Sequence, residues 1–323
     1  MSIKSYAQAI RDVIAEEMRR DGKVFIMGED IAEQGGIFGC TRGLIDEFGP
    51  ERVRNTPISE AGFCGAGLGA ACAGMRPIIE LMYMDFTLVA MDQIINQIAK
   101  TRYIFGGKAV IRGQQGVGRG NAATHSQSME AVFLHFPGLK VAMPSDASDA
   151  AGLLRTAIRD DNPVMFFEHK ALYTSKCEVD DSLDFSVPFG KARILREGTD
   201  VTIIATHTYV QKSLNVAEKL AAEGISAEVI DPRTLVPMDW DAMAASVEKT
   251  GRAVVVHEAH RTGGVGAEIA AELSERTFRY LDSPILRLGA KSCPLPFNLG
   301  LENAVVPQES DIYAACKKAL YQA

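Results

Sequence analysis

The chain has 323 residues, 47% of them apolar, and 34 lysines and arginines against 41 aspartates and glutamates give it a net charge of −7. That length exceeds what one small core organises and predicts two domains of about 150 residues each. An acidic balance with no basic stripe excludes nucleic acid as the main partner, and no apolar run reaches the roughly 20 residues that span a bilayer.

The opening stretch, MSIKSYAQAIRDVIAEEMRRD, reads as an amphipathic helix. It lacks the apolar centre of a signal peptide and is too acidic for a transit peptide, so a cytoplasmic protein is expected. Apolar blocks of strand length then alternate with helical blocks. KVFIMGED predicts a buried strand ending in polar residues, and Ser59 to Met75 a helix rich in Gly and Ala. Glycine is a poor helix former, so this helix must gain by letting its backbone approach a neighbour closely. Pro77 ends it, and PIIELMYM is the next strand. TLVAMDQIINQIAKTRYIF has apolar residues at three-to-four spacing and predicts a helix. The strand AVIR, the strand LKVAMP, a helix from about Ser148 to Arg159 and the strand NPVMFFEH complete the series. Such alternation predicts a mainly parallel sheet with helices on both faces. Ligands in these sheets sit at the carboxyl ends of strands, which here are Gly28 to Asp30, Asp85 to Phe86, Arg112 to His125 and Pro144 to Asp146.

From Ser175 to Thr199 the chain is acidic and turn-rich, and reads as a connection between domains. A second alternation follows: VTIIAT, a helix over YVQKSLNVAEKLAAEG, SAEVID, a helix from Trp240 to Thr250, RAVVVHE, a helix over GAEIAAELSERTF, PILRLG, and a last helix from Ser310 to Leu320. The fold class is therefore α/β with two domains: residues 1–180, a connection at 181–198, and residues 199–323.

Several motifs fail on inspection. RTGGVGAE follows a strand and opens a helix but lacks the Gly-x-Gly-x-x-Gly spacing of a dinucleotide site. His257 and His260 stand too close for the zinc-peptidase spacing. GQQGVGRGN has no Lys-Ser/Thr ending and reads as a mobile active-site loop rather than a phosphate loop. The six cysteines, Cys40, Cys64, Cys72, Cys177, Cys293 and Cys316, form no Cys-x-x-Cys pair and read as reduced and structural. Three residues at strand ends remain. Glu60 opens the Gly/Ala helix, where a carboxylate also simply suits the helix dipole. Phe86 follows PIIELMYM, where an aromatic can stack on a ligand ring or belong to the core. His125 sits in the polar loop NAATHSQS, suited to proton transfer or to a backbone bond.

At this point longer strings become recognisable. GEDIAEQGGIFGCTRGL, TPISEAGFCGAGLGAACAGMRPIIELMYMDF, DQIINQIAKTRYIFGGK, HSQSMEAVFLHFPGLKVAMPSD and AIRDDNPVMFFEHKALY resemble the beta subunit of the decarboxylating component of 2-oxo acid dehydrogenase complexes, a family that includes pyruvate, branched-chain and acetoin dehydrogenases. The resemblance runs from about residue 4 to residue 320. It implies a thiamine-diphosphate pyrimidine-binding domain of transketolase type followed by a transketolase C-terminal-like domain. Glu60 matches the glutamate that bonds N1′ of the cofactor aminopyrimidine. Charge shifted to N1′ favours the 4′-imino form, and that group takes the proton from the thiazolium C2. Phe86 matches the aromatic packed on the aminopyrimidine, Ile58 the backbone contact to the cofactor, and His125 the histidine near C2, with His135 in HFPG as the competitor.

The resemblance further implies a potassium ion held by Ala109, Ala157, Ile158, Asp160 and Asn162, although FGGKAVIRG, just before Val110, is about four residues shorter than the usual form. The Gly-Asp-Gly signature that holds magnesium and the diphosphate does not occur in the sequence. An alpha subunit is therefore expected to hold the magnesium and the diphosphate half in an α2β2 heterotetramer, and a lipoyl-bearing acyltransferase core to receive the acyl group. Two rival expectations are an acetoin dehydrogenase beta subunit and a catalytically silent assembly subunit. A nicotinamide-dependent enzyme is a third, and the missing glycine spacing speaks against it.

Overall fold

The computed structural model describes residues 1–322, which divide into two compact units. The first comprises Met1–Gln115 and Val132–Phe189. Its strands β2 (Val24–Gly28), β3 (Val53–Asn55), β4 (Arg76–Glu80), β5 (Val110–Gln115), β6 (Lys140–Ala142) and β7 (Val164–His169) lie in the order β6-β7-β5-β4-β2-β3, all parallel. Parallel strands need crossovers, and helices supply them on both faces.

Side chains alternate between the faces of a strand. Ile26 and Ile78 point into one core, with Tyr6, Ile10, Ile14 and Met18 of α1 (Tyr6–Arg20) and Leu153, Leu154 and Ile158 of α6 (Ala147–Arg159). Ile79 and Met27 point the other way, onto α3 (Glu60–Cys72). A Cβ at Gly67 would stand 2.6 Å from Ile79 Cδ1, so the close approach expected of a Gly/Ala helix is realised. Both helices facing the first core are started by side chains. Ser5 and Gln8 form a capping box for α1, and Asp146 accepts from Asp149 N at α6.

Two expectations need correction. TLVAMDQIINQIAKTRYIF is not one regular α-helix. A 3₁₀ turn covers Met84–Leu88, wide π turns cover Asp92–Ile98, and only α4 (Ala99–Ile104) is α-helical. The wide turns coincide with the stretch beside α3, where Gln93 Oε1 comes within 3.2 Å of the place a Cβ on Gly65 would occupy. No Gly or Pro within the stretch marks the change. The turn-rich connection also holds strands. β8 (Lys176–Val179) pairs antiparallel with β1 (Ser2–Ser5), and β9 (Arg193–Arg196) is the antiparallel edge of the second sheet. Such short, half-exposed edge strands carry little apolar alternation of their own, so only the partner reveals them. Two short helices, α2 (Leu44–Phe48) and α5 (Glu130–Leu134), complete the series.

The second unit comprises Gly116–Ala131 and the chain from Gly190 onward. Its sheet, in the order β14-β13-β10-β11-β9, is built on β10 (Val201–Ala205), β11 (Ala227–Asp231), β13 (Ala253–His260) and β14 (Leu286–Ala290). Helices α7 (Thr208–Ala221), α8 (Trp240–Thr250), α9 (Val265–Thr277) and α11 (Glu309–Ala319) cover it. β12 (Thr234–Val236) and α10 (Leu299–Val305) are additional short elements. The core joins Val201, Ile203, Val229, Val254 and Val256 to Tyr209, Val216, Ile312 and Cys316. Among the described residues no helix is long and apolar enough to cross a membrane.

Candidate active site

The carboxyl end of β2 is Gly28, where a Cβ would stand 2.5 Å from the Glu80 carbonyl oxygen. Only glycine lets β2 and β4 run this close at their ends. Glu29 follows and is buried, and its Oε1 has no hydrogen-bond partner among the described residues. Glu60 is the first residue of α3 and is only 6% exposed. The cap residue Ser59 makes no side-chain bond to the helix, so the first turn keeps backbone donors uncapped. Glu29 and Glu60 are neighbours. Burial pushes the Glu29 carboxyl above its ordinary range, and the charge of Glu60 raises it further. Ile58, just before the helix, is exposed. Phe86 lies in the 3₁₀ turn after β4, half-buried, its ring edge-on to Tyr83 at 6.1 Å. The structure thus places Ile58, Glu60 and Phe86 in the first unit, Ile58 and Glu60 after the edge strand β3 and Phe86 after β4, and adds Glu29 after β2.

Behind this rim lies a cluster of buried charges that periodicity does not predict. Arg112 of β5 is fully buried between two acids, Glu80 of β4 and Glu168 of β7. Its guanidinium meets Glu168 through two bonds, Nε to Oε1 at 2.5 Å and Nη2 to Oε2 at 2.6 Å. The Tyr173 hydroxyl donates to Glu168 Oε2 at 2.6 Å, and Phe38 stacks on the Tyr173 ring at 4.5 Å. Burial opposes the charge on Arg112, but Glu168 and Glu80 hold it firmly protonated. Burial raises the Glu80 carboxyl, against the pull of Arg112. A Cβ at Gly36 would stand 3.2 Å from Glu80 Oε1, so the loop after Asp30 rests on the cluster. The available signal was one charge inside each of three apolar strand blocks.

His125 belongs to the second unit, in the loop 116–131. The loop is bent through positive φ at Gly116, Gly118, Gly120 and Ala122. His125 is half-buried, and its Nδ1 lies 2.8 Å from Thr124 Oγ1. His135 is in the first unit, exposed, with its ring edge-on to Phe136 at 5.2 Å.

The positions expected to hold potassium gather around a cavity of about 10 Å³ lined by Ala109, Ala157, Ile158 and Asp160, but also by Arg76 and Lys108. Arg76 Nη1 donates to the Ile158 carbonyl at 2.9 Å. The Asp160 carboxylate receives the Lys140 ammonium and, at 2.8 Å each, both nitrogens of Asn162. Although partial burial works against it, Lys140 and Asn162 hold Asp160 below the usual carboxylate range. The Ala109 carbonyl accepts from Val164 N. The chain's own cations thus stand on two of the expected donors, the Ile158 carbonyl and the Asp160 carboxylate.

RTGGVG has a packing explanation. The His257 ring lies beneath the first turn of α9, so that a Cβ at Gly264 would be 2.4 Å from Cε1 and one at Gly266 2.8 Å from Nε2. Burial brings the His257 pKa down to about 4, and the ring is neutral. Among the described residues no group of three or more His, Cys, Asp or Glu is placed to hold a metal ion, and all six cysteines are free.

Comparison with known proteins shows the family. The transketolase pyrimidine-binding domain family matches residues 3–176 and the transketolase C-terminal domain family residues 190–312. The chain is 47% identical to a pyruvate dehydrogenase E1 component subunit beta of Rickettsia felis, over 97% of each chain. It is 45% identical to the mitochondrial subunit beta-1 of Arabidopsis thaliana, over 100% of this chain and 93% of that one. A subunit beta of Rhizobium meliloti is 45% identical over 100% of this chain and 71% of its own length. Among solved structures, a split-gene transketolase, described as an inactive beta4 tetramer, shares the fold with a TM-score of 0.81 over 98% of each chain, at 24% identity. The chain, an α/β protein built from a transketolase-type pyrimidine-binding domain and a transketolase C-terminal domain, belongs to the family of pyruvate dehydrogenase E1 component beta subunits.

Proposed function

We propose that this chain is the catalytic beta subunit of a thiamine-diphosphate-dependent pyruvate dehydrogenase, which with an alpha subunit decarboxylates pyruvate and passes the acyl group to a lipoyl-bearing acyltransferase. One observation carries the reading. Two buried carboxyls, Glu60 and Glu29, stand together at the carboxyl ends of a parallel sheet, and one of their oxygens lacks a partner. A buried carboxyl oxygen without a donor is costly to maintain, and it suits a ligand that brings a protonatable ring nitrogen and an amino group. An aminopyrimidine brings both, so the residues fit the cofactor.

When bound, thiamine diphosphate supplies the nucleophilic carbon and the electron sink that decarboxylation needs. The chain's own residues do the rest. Glu60 would meet the N1′ ring nitrogen with its carboxyl. Glu29 lies buried beside it, its own carboxyl raised above the ordinary range by burial and by the charge of Glu60. Phe86 offers an aromatic face to the pyrimidine, and the backbone at Ile58 fixes its edge. His125 moves a proton at the substrate side as general acid–base. The Gly-Asp-Gly magnesium signature is absent from the sequence, so the alpha subunit holds the magnesium and the diphosphate, and the working unit is an α2β2 heterotetramer. No step is derived through potassium.

The test is coexpression with the alpha partner, followed by cofactor-dependent reduction of dichlorophenolindophenol with pyruvate, a branched-chain 2-oxo acid or acetoin. The pair is expected to turn over pyruvate best and this chain alone to be inactive. Full activity of the isolated chain overturns the shared site, and a preference for acetoin overturns the substrate.

A further inference from the structure

The segment 116–131 joins the second unit by an unusual attachment. Its root is held by consecutive backbone amides, each donating to a buried carboxylate from a different element. Val117 N donates to Glu258 Oε1 at 2.8 Å, and Gly118 N donates to Glu302 Oε2 at 2.9 Å. Glu258 lies on β13, in the His-Glu-Ala-His string, and Glu302 lies on α10 with none of its surface exposed. The Ser128 hydroxyl, past His125, donates to the same Glu258 oxygen at 3.2 Å. One carboxylate oxygen therefore ties the entry of the loop to its exit. The Val117 side chain is buried with Ala290, Leu295, Val305 and Val306.

Burying a carboxylate is expensive unless strong donors meet it. The mechanism above assigns these two acids nothing. What they do is close a glycine-rich segment that has little regular structure of its own. A free loop bent through positive φ at Gly116, Gly118 and Gly120 has many alternative conformations to lose. Amide bonds to charged acceptors are about twice as strong as neutral ones, and the two here remove most of that freedom at the root.

We propose that Glu258 and Glu302 are positioning residues: they lock the loop 116–131 so that its one imidazole, His125, is presented in a fixed pose for proton transfer. This rests on the role given to His125 above. The acids touch neither substrate nor cofactor and act only through the loop.

The experiment uses the assembled enzyme with its alpha subunit. Amide hydrogen exchange of residues 116–131 is measured beside kcat and KM for wild type, Glu258→Ala, Glu258→Gln, His125→Ala and the double variant His125→Ala/Glu258→Ala. Misplacing a reacting group by about 1 Å costs on the order of 100-fold. Glu258→Ala should therefore speed exchange in the loop and lower kcat by roughly 10- to 100-fold with little change in KM. Glu258→Gln keeps an acceptor oxygen and should recover most of the loss. In the His125→Ala background Glu258→Ala should cost nothing further, because both act through one group. If Glu258→Ala prevents assembly, Ser128→Ala removes only the tie at the exit and should raise exchange around His125 with a smaller fall in kcat. Full turnover in His125→Ala would sink the role of His125 and the positioning role with it. With His125→Ala inactive, unchanged loop exchange in the Glu258 and Ser128 variants, or an undiminished extra loss in the double variant, would sink the positioning role alone.

Discussion

Glu60 and His125, the two groups given proton-handling roles, are held by different means. Glu60 rides on the first turn of α3, and α3 is fixed by contact of its backbone with the sheet, through Gly67 on Ile79. Regular structure does the positioning, and few side-chain bonds are needed. His125 sits on an irregular loop whose shape depends on four residues with positive φ and on bonds from its root to distant acids. The comparison teaches that one of these groups is held by packing and the other by polar ties. Packing fails globally when broken, because the core is shared, whereas polar ties fail locally.

The largest expected effect is at the packed side. Glu60→Gln removes the carboxyl and leaves the helix intact, so turnover of the assembled enzyme should fall by about 1,000-fold with assembly and melting unchanged. Near-normal turnover would mean that the chain only supports its partner. At the tied side, Gly120 is the sharper probe. Its φ is +62°, and a Cβ there would lie 2.7 Å from the Phe297 carbonyl oxygen. Gly120→Ala should disorder the loop and cut turnover by roughly 10- to 100-fold, while the melting temperature of the chain moves little. A large drop in melting temperature would show that the loop is part of the cooperative core, and the contrast between the two segments would disappear.

This difference also explains what could be read in the sequence. The parallel sheet was legible because a 2-residue or 3.6-residue period reports the local partner of every side chain, while Glu60 and Phe86 stood out only as residues at the ends of its elements. The close approach of α3 followed from its Gly/Ala composition alone. The buried triad Arg112, Glu80 and Glu168 was not read, since one charge per apolar block looks like noise until the strands are laid side by side. No shift of composition marks 116–131 as belonging with the second unit. Its attachment depends on Glu258 and Glu302, more than a hundred residues away in sequence. Antiparallel β1 and β8 escaped for the same reason, as their pairing joins the two ends of one unit. Roles for single residues came from resemblance, which the strand-end geometry supports for Glu60 and which local spacing could not supply for His125.

A third variant asks how tightly packing governs the α3 side. Ile79 is fully buried, so its Cδ1 has nowhere to go if Gly67 gains a methyl. Gly67→Ala should cost about 1–3 kcal/mol through overpacking, seen as a lower denaturation midpoint. Two residues on, a Cβ at Gly69 would meet nothing within 4 Å. Gly69→Ala should instead stabilise the isolated chain by about 0.5–1 kcal/mol, the ordinary gain in helix propensity. Equal effects at the two positions would mean that helix propensity, not contact with the sheet, decides the stability of α3.

The smallest effect concerns the electrostatic cost stored beside Glu60. Burial and the charge of Glu60 raise the Glu29 carboxyl above its ordinary value of 4.5. The folded chain therefore binds this proton more tightly than the unfolded chain does. Below the ordinary value both states are protonated and Glu29 costs nothing. As pH rises through the raised value the unfolded state has already released its proton, and folding stability declines until both states are ionised. Glu29→Gln removes the ionisation, so its melting temperature should match wild type at pH 4 and exceed it by a growing margin toward pH 7. Turnover should fall in the same variant, because the carboxyl pair is lost. Parallel melting curves at all pH values would show that Glu29 is solvated in the folded chain, and the packed site would then carry no stored charge.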